Sequence, residues 1–209
     1  MAKPETLSHG LDTLSIAASE SQRDRLIGFV DLLIRWNNAY NLVATSDRDQ
    51  LLTRHLLDSL SVLPWITGPR VADVGSGGGF PGLPLAIVRP DIDFTLIDSV
   101  AKKTRFLEQA AMELGLRNVT VERVRVEDYH PPEPFANVIS RAYASLADFA
   151  ESAVHLAGSG GVLLAMKGQR PDAEIAALPA DWKVASVERL AVPGLDEERH
   201  IVVMRQLYK

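Results

Sequence analysis

The chain has 209 residues, a net charge of −5, a pI near 5.5 and no cysteine. That length is enough for one domain with a full core. The absence of cysteine excludes disulfides and thiolate metal sites, and the acidic balance argues against a general nucleic-acid coater.

The first residues, "MAKPETLSHGLDTLS", lack the apolar stretch of a signal peptide and read as a ragged start. No apolar run approaches the ~18 residues that a membrane span needs, so a cytoplasmic protein is expected. From Ser21 to Tyr40, Leu26, Ile27, Val30, Leu33 and Ile34 recur at helical spacing. Ser46 to Asp49 resembles a capping box. It would open a second helix carrying Leu52, Leu56, Leu60 and Leu63 on one face, closed by Pro64. Residues 1–66 are therefore expected to form a helical extension, and 67–209 the main unit.

From there the pattern alternates. "RVADVG", "DFTLID", "NVTVERV", "FANVISRA" and "GGVLLAMKG" read as strands. "FPGLPLAIVRP", "AKKTRFLEQAAMELG", "LADFAESAVHLA" and "AEIAAL" read as helices between or after them. "WKVASVERLAV" and "RHIVVMRQL" predict an antiparallel hairpin across "PGLDEE". The fold class is thus α/β: a doubly wound, Rossmann-like sheet of seven strands, mostly parallel, with a terminal antiparallel hairpin.

In such sheets the ligand sits beyond the carboxyl ends of the strands, and the first strand-to-helix loop is the usual place. That loop here is "DVGSGGGFPG", with five glycines between Gly75 and Gly82. Such a loop brings backbone N–H groups close to a ligand. A dinucleotide fingerprint would need glycine where Phe80 stands, and Pro81 and Pro84 interrupt the helix start that would cradle a pyrophosphate. The spacing reads D-x-G-x-G-x-G, from Asp73 through Gly75 and Gly77 to Gly79. It resembles the loop of class I S-adenosylmethionine-dependent methyltransferases. Asp73 would suit the ligand's ammonium, and Asp98, ending the next strand, its ribose hydroxyls. Glu127, beside the apolar Val126, would suit an adenine ring.

Six motifs in this order make the resemblance more specific: "NLVA" (41–44), "RHLLDSL" (54–60), "DVGSGGGFPGLPLAI" (73–87), "LIDSVAKKTRFLEQAAMELGL" (96–116), "SRAYASL" (140–146) and "LLAMKG" (163–168). From about residue 20 to 205 the chain resembles the bacterial 16S rRNA guanine-N7 methyltransferases, the glucose-inhibited division protein B family. The resemblance implies methylation of N7 of one guanine in the 530 loop of small-subunit rRNA, with S-adenosylmethionine as cofactor. It puts cofactor contacts on Gly75, Phe80, Val126, Glu127 and Arg141. The class I pattern adds Gly77, Gly79 and Asp98. Tyr143 stands where smaller aliphatic residues are usual in the family.

N7 already carries a free lone pair, so no general base is expected. Arg141, His55 and Asp58 are expected to position the reactants. Arg54 and Asp58 lie one helical turn apart, as an ion pair would, and so do His55 and Ser59. The RNA, or a small ribosomal subunit containing it, is expected to meet Arg54, Lys102, Lys103, Arg105, Arg123, Arg125 and Lys167. Between residues 101 and 125 six basic residues face three acidic ones. Trp36 is read as core, while Asn37, Asn38, Tyr40 and Asn41 are further RNA candidates. No metal site is expected, and a monomer is. Two rivals stay open at this point: an NAD-linked oxidoreductase, and a non-catalytic RNA-binding or ribosome-assembly protein.

Overall fold

The structure is a computed structural model that describes residues 4–141 and 143–207. The N-terminal stretch is ordered more fully than its composition predicts. Helix α1 covers Pro4–Thr13, and its Leu7 and Leu11 enter the core. Helix α2, Glu20–Tyr40, begins at Ser19 with a complete capping box formed with Gln22. The Gln22 amide also donates to the carbonyls of Ile87 and Val88, which end a later helix and lack helical partners of their own. One side chain thus starts one helix and satisfies the end of another.

The third helix, α3, is composite. An α turn at Arg48–Gln50 leads into a π-helical segment, Leu51–Leu57, and then an α turn at Asp58–Leu60. Its cap is Asp47, which accepts from the Gln50 N–H at 2.8 Å, and not the predicted Ser46. The Ser46 hydroxyl instead accepts from the Asn37 amide. Leu51, Leu52, Leu56, Leu57 and Leu60 are buried.

The sheet follows: β1 Arg70–Val74, β2 Asp93–Ile97, β3 Val119–Glu122, β4 Phe135–Ser140, β5 Ala157–Lys167, β6 Trp182–Arg189 and β7 His200–Gln206. Helices α4 (Gly82–Val88), α5 (Ala101–Glu113), α6 (Leu146–Ala153) and α7 (Asp172–Ala176) connect them. The strand order is β3-β2-β1-β4-β5-β7-β6. The first five strands run parallel, and β7 lies antiparallel between β5 and β6. The last residue of the predicted strand "FANVISRA", Ala142, lies outside the described residues.

Strand alternation divides the core. Val71 faces the layer made by α4, α5 and the N-terminal helices, while Ala72 and Val74 face α6. Leu26, Phe29 and Leu33 of α2 and Leu52 and Leu56 of α3 share one apolar cluster with Phe94, Leu96 and Phe106. The α2–α3 connection therefore lies close to the ends of β1 and β4, where the strand order reverses. No helix among the described residues is long and apolar enough to cross a membrane.

Candidate active site

The predicted glycine spacing has a direct backbone cause. Gly75, Gly77 and Gly79 have φ of +73°, +55° and +90°, conformations that side chains disfavour. Their N–H groups are nevertheless committed within the protein. They reach the Ile97 carbonyl at 2.8 Å, the Asp98 carboxylate at 3.0 Å and the Ser76 carbonyl at 2.7 Å respectively. The loop offers a ligand clearance, not the free donors expected from it. A Cβ on Gly77 would find nothing nearer than the Gly75 carbonyl oxygen at 3.7 Å. One on Gly79 would strike Leu83 at 2.5 Å, so that glycine seats the loop on α4.

Beside this loop lies a cavity of about 290 Å³, lined by Gly75, Asp98, Val100, Val126, Glu127 and Tyr143 among others. Asp98 holds its edge. Its two oxygens accept from the N–H groups of Gly77 and Val100, and Lys103 stands 3.5 Å away. Val126 is buried and apolar while Glu127 is exposed. Tyr143 packs its ring on Phe149, and its hydroxyl accepts from Ser152 at 2.9 Å.

Other expectations are corrected. Asp73 is wholly buried and unavailable to a ligand's ammonium; one oxygen accepts from the Gly82 N–H at 2.9 Å and the other has no partner. The Phe80 side chain is also buried, between Phe29 edge-on, His55 stacked at 5.2 Å and the Arg141 guanidinium at 5.1 Å. It supports the site from below.

A second cavity, about 600 Å³, is lined by Arg54, His55, Asp58, Arg141, Lys167 and Arg199 among others. The expected Arg54–Asp58 pair does not form. Asp58, only 2% exposed, lies between Arg141 and Arg199, each 3.4 Å from a different oxygen. Arg54 instead pairs with Glu197, which also holds Arg199 at 3.0 Å. The His55–Ser59 contact does form, but through the backbone: the Ser59 hydroxyl donates to the His55 carbonyl. Burial pushes Asp58 above the usual carboxylate range, against the pull of the two guanidiniums. Burial lowers Arg141, with Asp58 opposing. Burial and then Arg141, Arg199 and Arg54 bring His55 down to about 4, so its imidazole is neutral near pH 7.

The predicted RNA contacts do not form one patch. Arg54 and Lys167 line the second cavity, Lys167 held by Glu174 at 2.8 Å. Lys103 and Arg125 line the first. Lys102 and Arg105 are exposed on α5, and Arg123 is exposed beyond β3. Arg199 and Glu197 were absent from the sequence-based set. Asn37, expected only as an RNA contact, is a buried structural node. It accepts from the N–H groups of Leu42 and Val43 and donates to the Thr45 carbonyl and Ser46. This folds the α2–α3 connection against the glycine loop, where Val43 abuts Gly78.

The buried Asp73 makes stability depend on pH. Burial raises its carboxyl from near 3.8 to about 7. Folding then takes up a proton between those values, so stability falls as pH rises through that window. Three pKa units correspond to about 4 kcal/mol at most. Asp73→Asn keeps an acceptor for Gly82 without the charge. Its stability relative to the parent is expected to improve between pH 5 and pH 8; parallel calorimetric melts with equal pH slopes would contradict this.

The chain matches the family model "rRNA small subunit methyltransferase G" over residues 22–202. It is 50% identical to the ribosomal RNA small subunit methyltransferase G of Marinobacter nauticus, covering 96% of this chain and 94% of the relative. It is 49% identical to the protein of that name from Cronobacter sakazakii, covering 96% and 97%. Among solved structures, TrmN from Thermus thermophilus aligns with a TM-score of 0.55 at 20% identity, over 73% of this chain and 48% of that one. That likeness speaks to the fold alone. The doubly wound sheet, the positive-φ glycine loop and these matches lead to one conclusion: the chain belongs to the rRNA small subunit methyltransferase G family.

Proposed function

We propose that the chain methylates N7 of one guanine in the 530 loop of small-subunit rRNA, using S-adenosylmethionine, by direct in-line transfer. The observation that carries this reading is a pair of cavities, one beside the glycine loop and one cationic and walled by Arg141, linked where the Lys167 ammonium donates to the Tyr143 carbonyl at 3.3 Å. The residues of the first fit the cofactor. Gly77 leaves open space, Asp98 can accept from ribose hydroxyls, and Val126 with Glu127 offers an apolar wall beside an acceptor for an amino group. When bound, the cofactor supplies a methyl group on a cationic sulfur that departs as a neutral thioether.

The chain's own part is alignment. Arg141 is fixed from both sides, by Asp58 and by the Phe80 ring, at the wall of the cationic cavity. Arg54, Arg199 and Lys167 give that cavity the charge to receive a phosphate backbone. His55, neutral, adds a hydrogen-bonding ring without a charge. Holding acceptor and donor in line converts a bimolecular reaction into one between fixed neighbours, the main source of rate where no proton has to move.

The test is incorporation of methyl groups into small-subunit RNA, offered both naked and as the assembled subunit. Nucleoside mass spectrometry and strand cleavage selective for 7-methylguanosine would follow. A single modified guanine in the 530 loop is expected. From about pH 7.5 to pH 9 the single-turnover rate is expected to stay within about twofold, because N7 has no proton to lose. A rate rising tenfold per pH unit there, or a product methylated at N1 or an exocyclic amine, would overturn the assignment.

A further inference from the structure

We propose that the groove between α2 and α5 seats an unpaired base of the RNA strand leading to the cationic cavity. This rests on the reading above, for it names a second contact of the same substrate. Large apolar side chains are exposed at four places among the described residues, and three of them lie on or beside α5: Tyr40 (46% exposed), Val100 (38%) and Met112 (69%). Between the helices runs a groove of about 450 Å³, lined by Leu32, Arg35, Trp36, Ala39, Tyr40 and Glu113.

Its floor is a built aromatic stack. Trp36 rests on the buried Phe106 with ring centroids 5.7 Å apart, and Tyr40 lies 5.1 Å from Trp36 with the rings tilted by 33°. Tyr40 is thus held by the core on one side and open on the other. Every nucleobase has a face that can stack on such a ring. Lys102, Arg105 and Glu113 share one strip of α5, and Arg35 faces Glu113 at 3.3 Å. Glu113 engages Arg35, and Glu108 is exposed further round the helix. The cations Lys102 and Arg105 remain to meet phosphate.

A hydrogen bond and the run of the chain link the groove to the active site. The Lys102 ammonium donates to the Tyr40 carbonyl at 2.7 Å, and Val100 lines the cofactor cavity. From Tyr40 the chain runs directly into the connection tied down by Asn37, whose Ala44 and Thr45 line the cationic cavity. A strand with its target guanine in that cavity would pass over this connection to reach Tyr40. The cationic strip and the short aromatic floor suit a base and its phosphate better than the continuous apolar face of a protein helix.

The experiment measures methyl transfer by the full chain to naked small-subunit RNA and to assembled subunits, for the parent, Tyr40→Ala, Tyr40→Trp and Lys102→Ala. Direct binding of fluorescent RNA is measured alongside. Tyr40→Ala is expected to raise KM and the RNA dissociation constant by about 5- to 150-fold, the range of one lost base stack. The effect should fall on KM and not on kcat, and Tyr40→Trp should restore it. Lys102→Ala is expected to reduce the salt slope of RNA binding by about 0.7. Parental RNA binding in Tyr40→Ala would overturn the proposal. So would a defect confined to assembled subunits, which would assign the groove to a protein partner. If the parent methylates neither RNA, the function proposed above fails, and the binding comparison still decides the groove.

Discussion

Asp98→Ala is expected to weaken S-adenosylmethionine binding by about 100-fold or more in a chain that still folds. Hydrogen bonds to a charged group are worth roughly 1.5–3 kcal/mol each, and two of them correspond to at least two decades in affinity. In the structure Asp98 has a double task. It holds the N–H groups of Gly77 and Val100, at 3.0 and 2.9 Å, and it faces the cavity where a ribose would lie. Its loss removes the acceptor and releases the loop together. Asp98→Asn retains one oxygen and is expected to lose less. Titration calorimetry reads both variants, with circular dichroism as the check on folding. An alanine variant within about threefold of the parent would leave Asp98 as a turn residue only.

Asp58→Ala is expected to act on stability and rate at once. Breaking a buried charge cluster typically costs about 3–5 kcal/mol, and here it leaves Arg141 without its carboxylate while Arg199 keeps Glu197 at 3.0 Å. The lower end, about 3 kcal/mol, applies here because the side chains of Arg141 and Arg199 keep 24% and 20% of their exposure. Without the carboxylate, Arg141 is free to leave the Phe80 ring, and a displacement of about an ångström can cost 100-fold in rate. Urea melts and single-turnover kinetics separate the two effects. The double variant Asp58→Ala/Arg141→Ala, which removes the orphaned guanidinium, should regain part of the stability and none of the rate. A single variant that melts with the parent would show that Asp58 does not hold the two guanidiniums.

The parallel sheet, its hairpin and the glycine loop were legible because each rests on a local rule: alternation, turn residues, or a backbone angle that glycine alone adopts readily. The D-x-G-x-G-x-G spacing proved to be three positive φ values at alternate residues. Long-range choices were not legible. Arg54 and Asp58 sit one turn apart in sequence, yet each prefers a partner from the segment before β7, Glu197 and Arg199, some 140 residues away. Ser46 and Asp47 are both competent caps, and the pull of Asn37 on Ser46 leaves the cap to Asp47. Asn37 itself looked like a surface polar residue. Its role exists only once the chain doubles back, so no spacing announces it. Asp73 kept its predicted place in the loop but not its predicted partner, because the alternation of β1 turns it inward beneath α4.

The π-helical turn at Leu51–Leu57 bears on how this protein can change over evolutionary time. A π turn holds one residue more than an α turn closing the same ladder. Losing a single residue there would let the segment close as a regular α-helix with the turns on either side kept nearly in phase, whereas the same loss outside it would rotate everything beyond by about 100°. Arg54 and His55 lie inside this wide turn and would be re-aimed, while Asp58, which begins the α turn after it, would keep its direction. Side chains along this segment can be exchanged one at a time with graded consequences. A one-residue change of length within 51–57 would re-aim Arg54 and His55 alone, whereas one on either side would also turn Asp58 or the cap at Asp47 away from its partner.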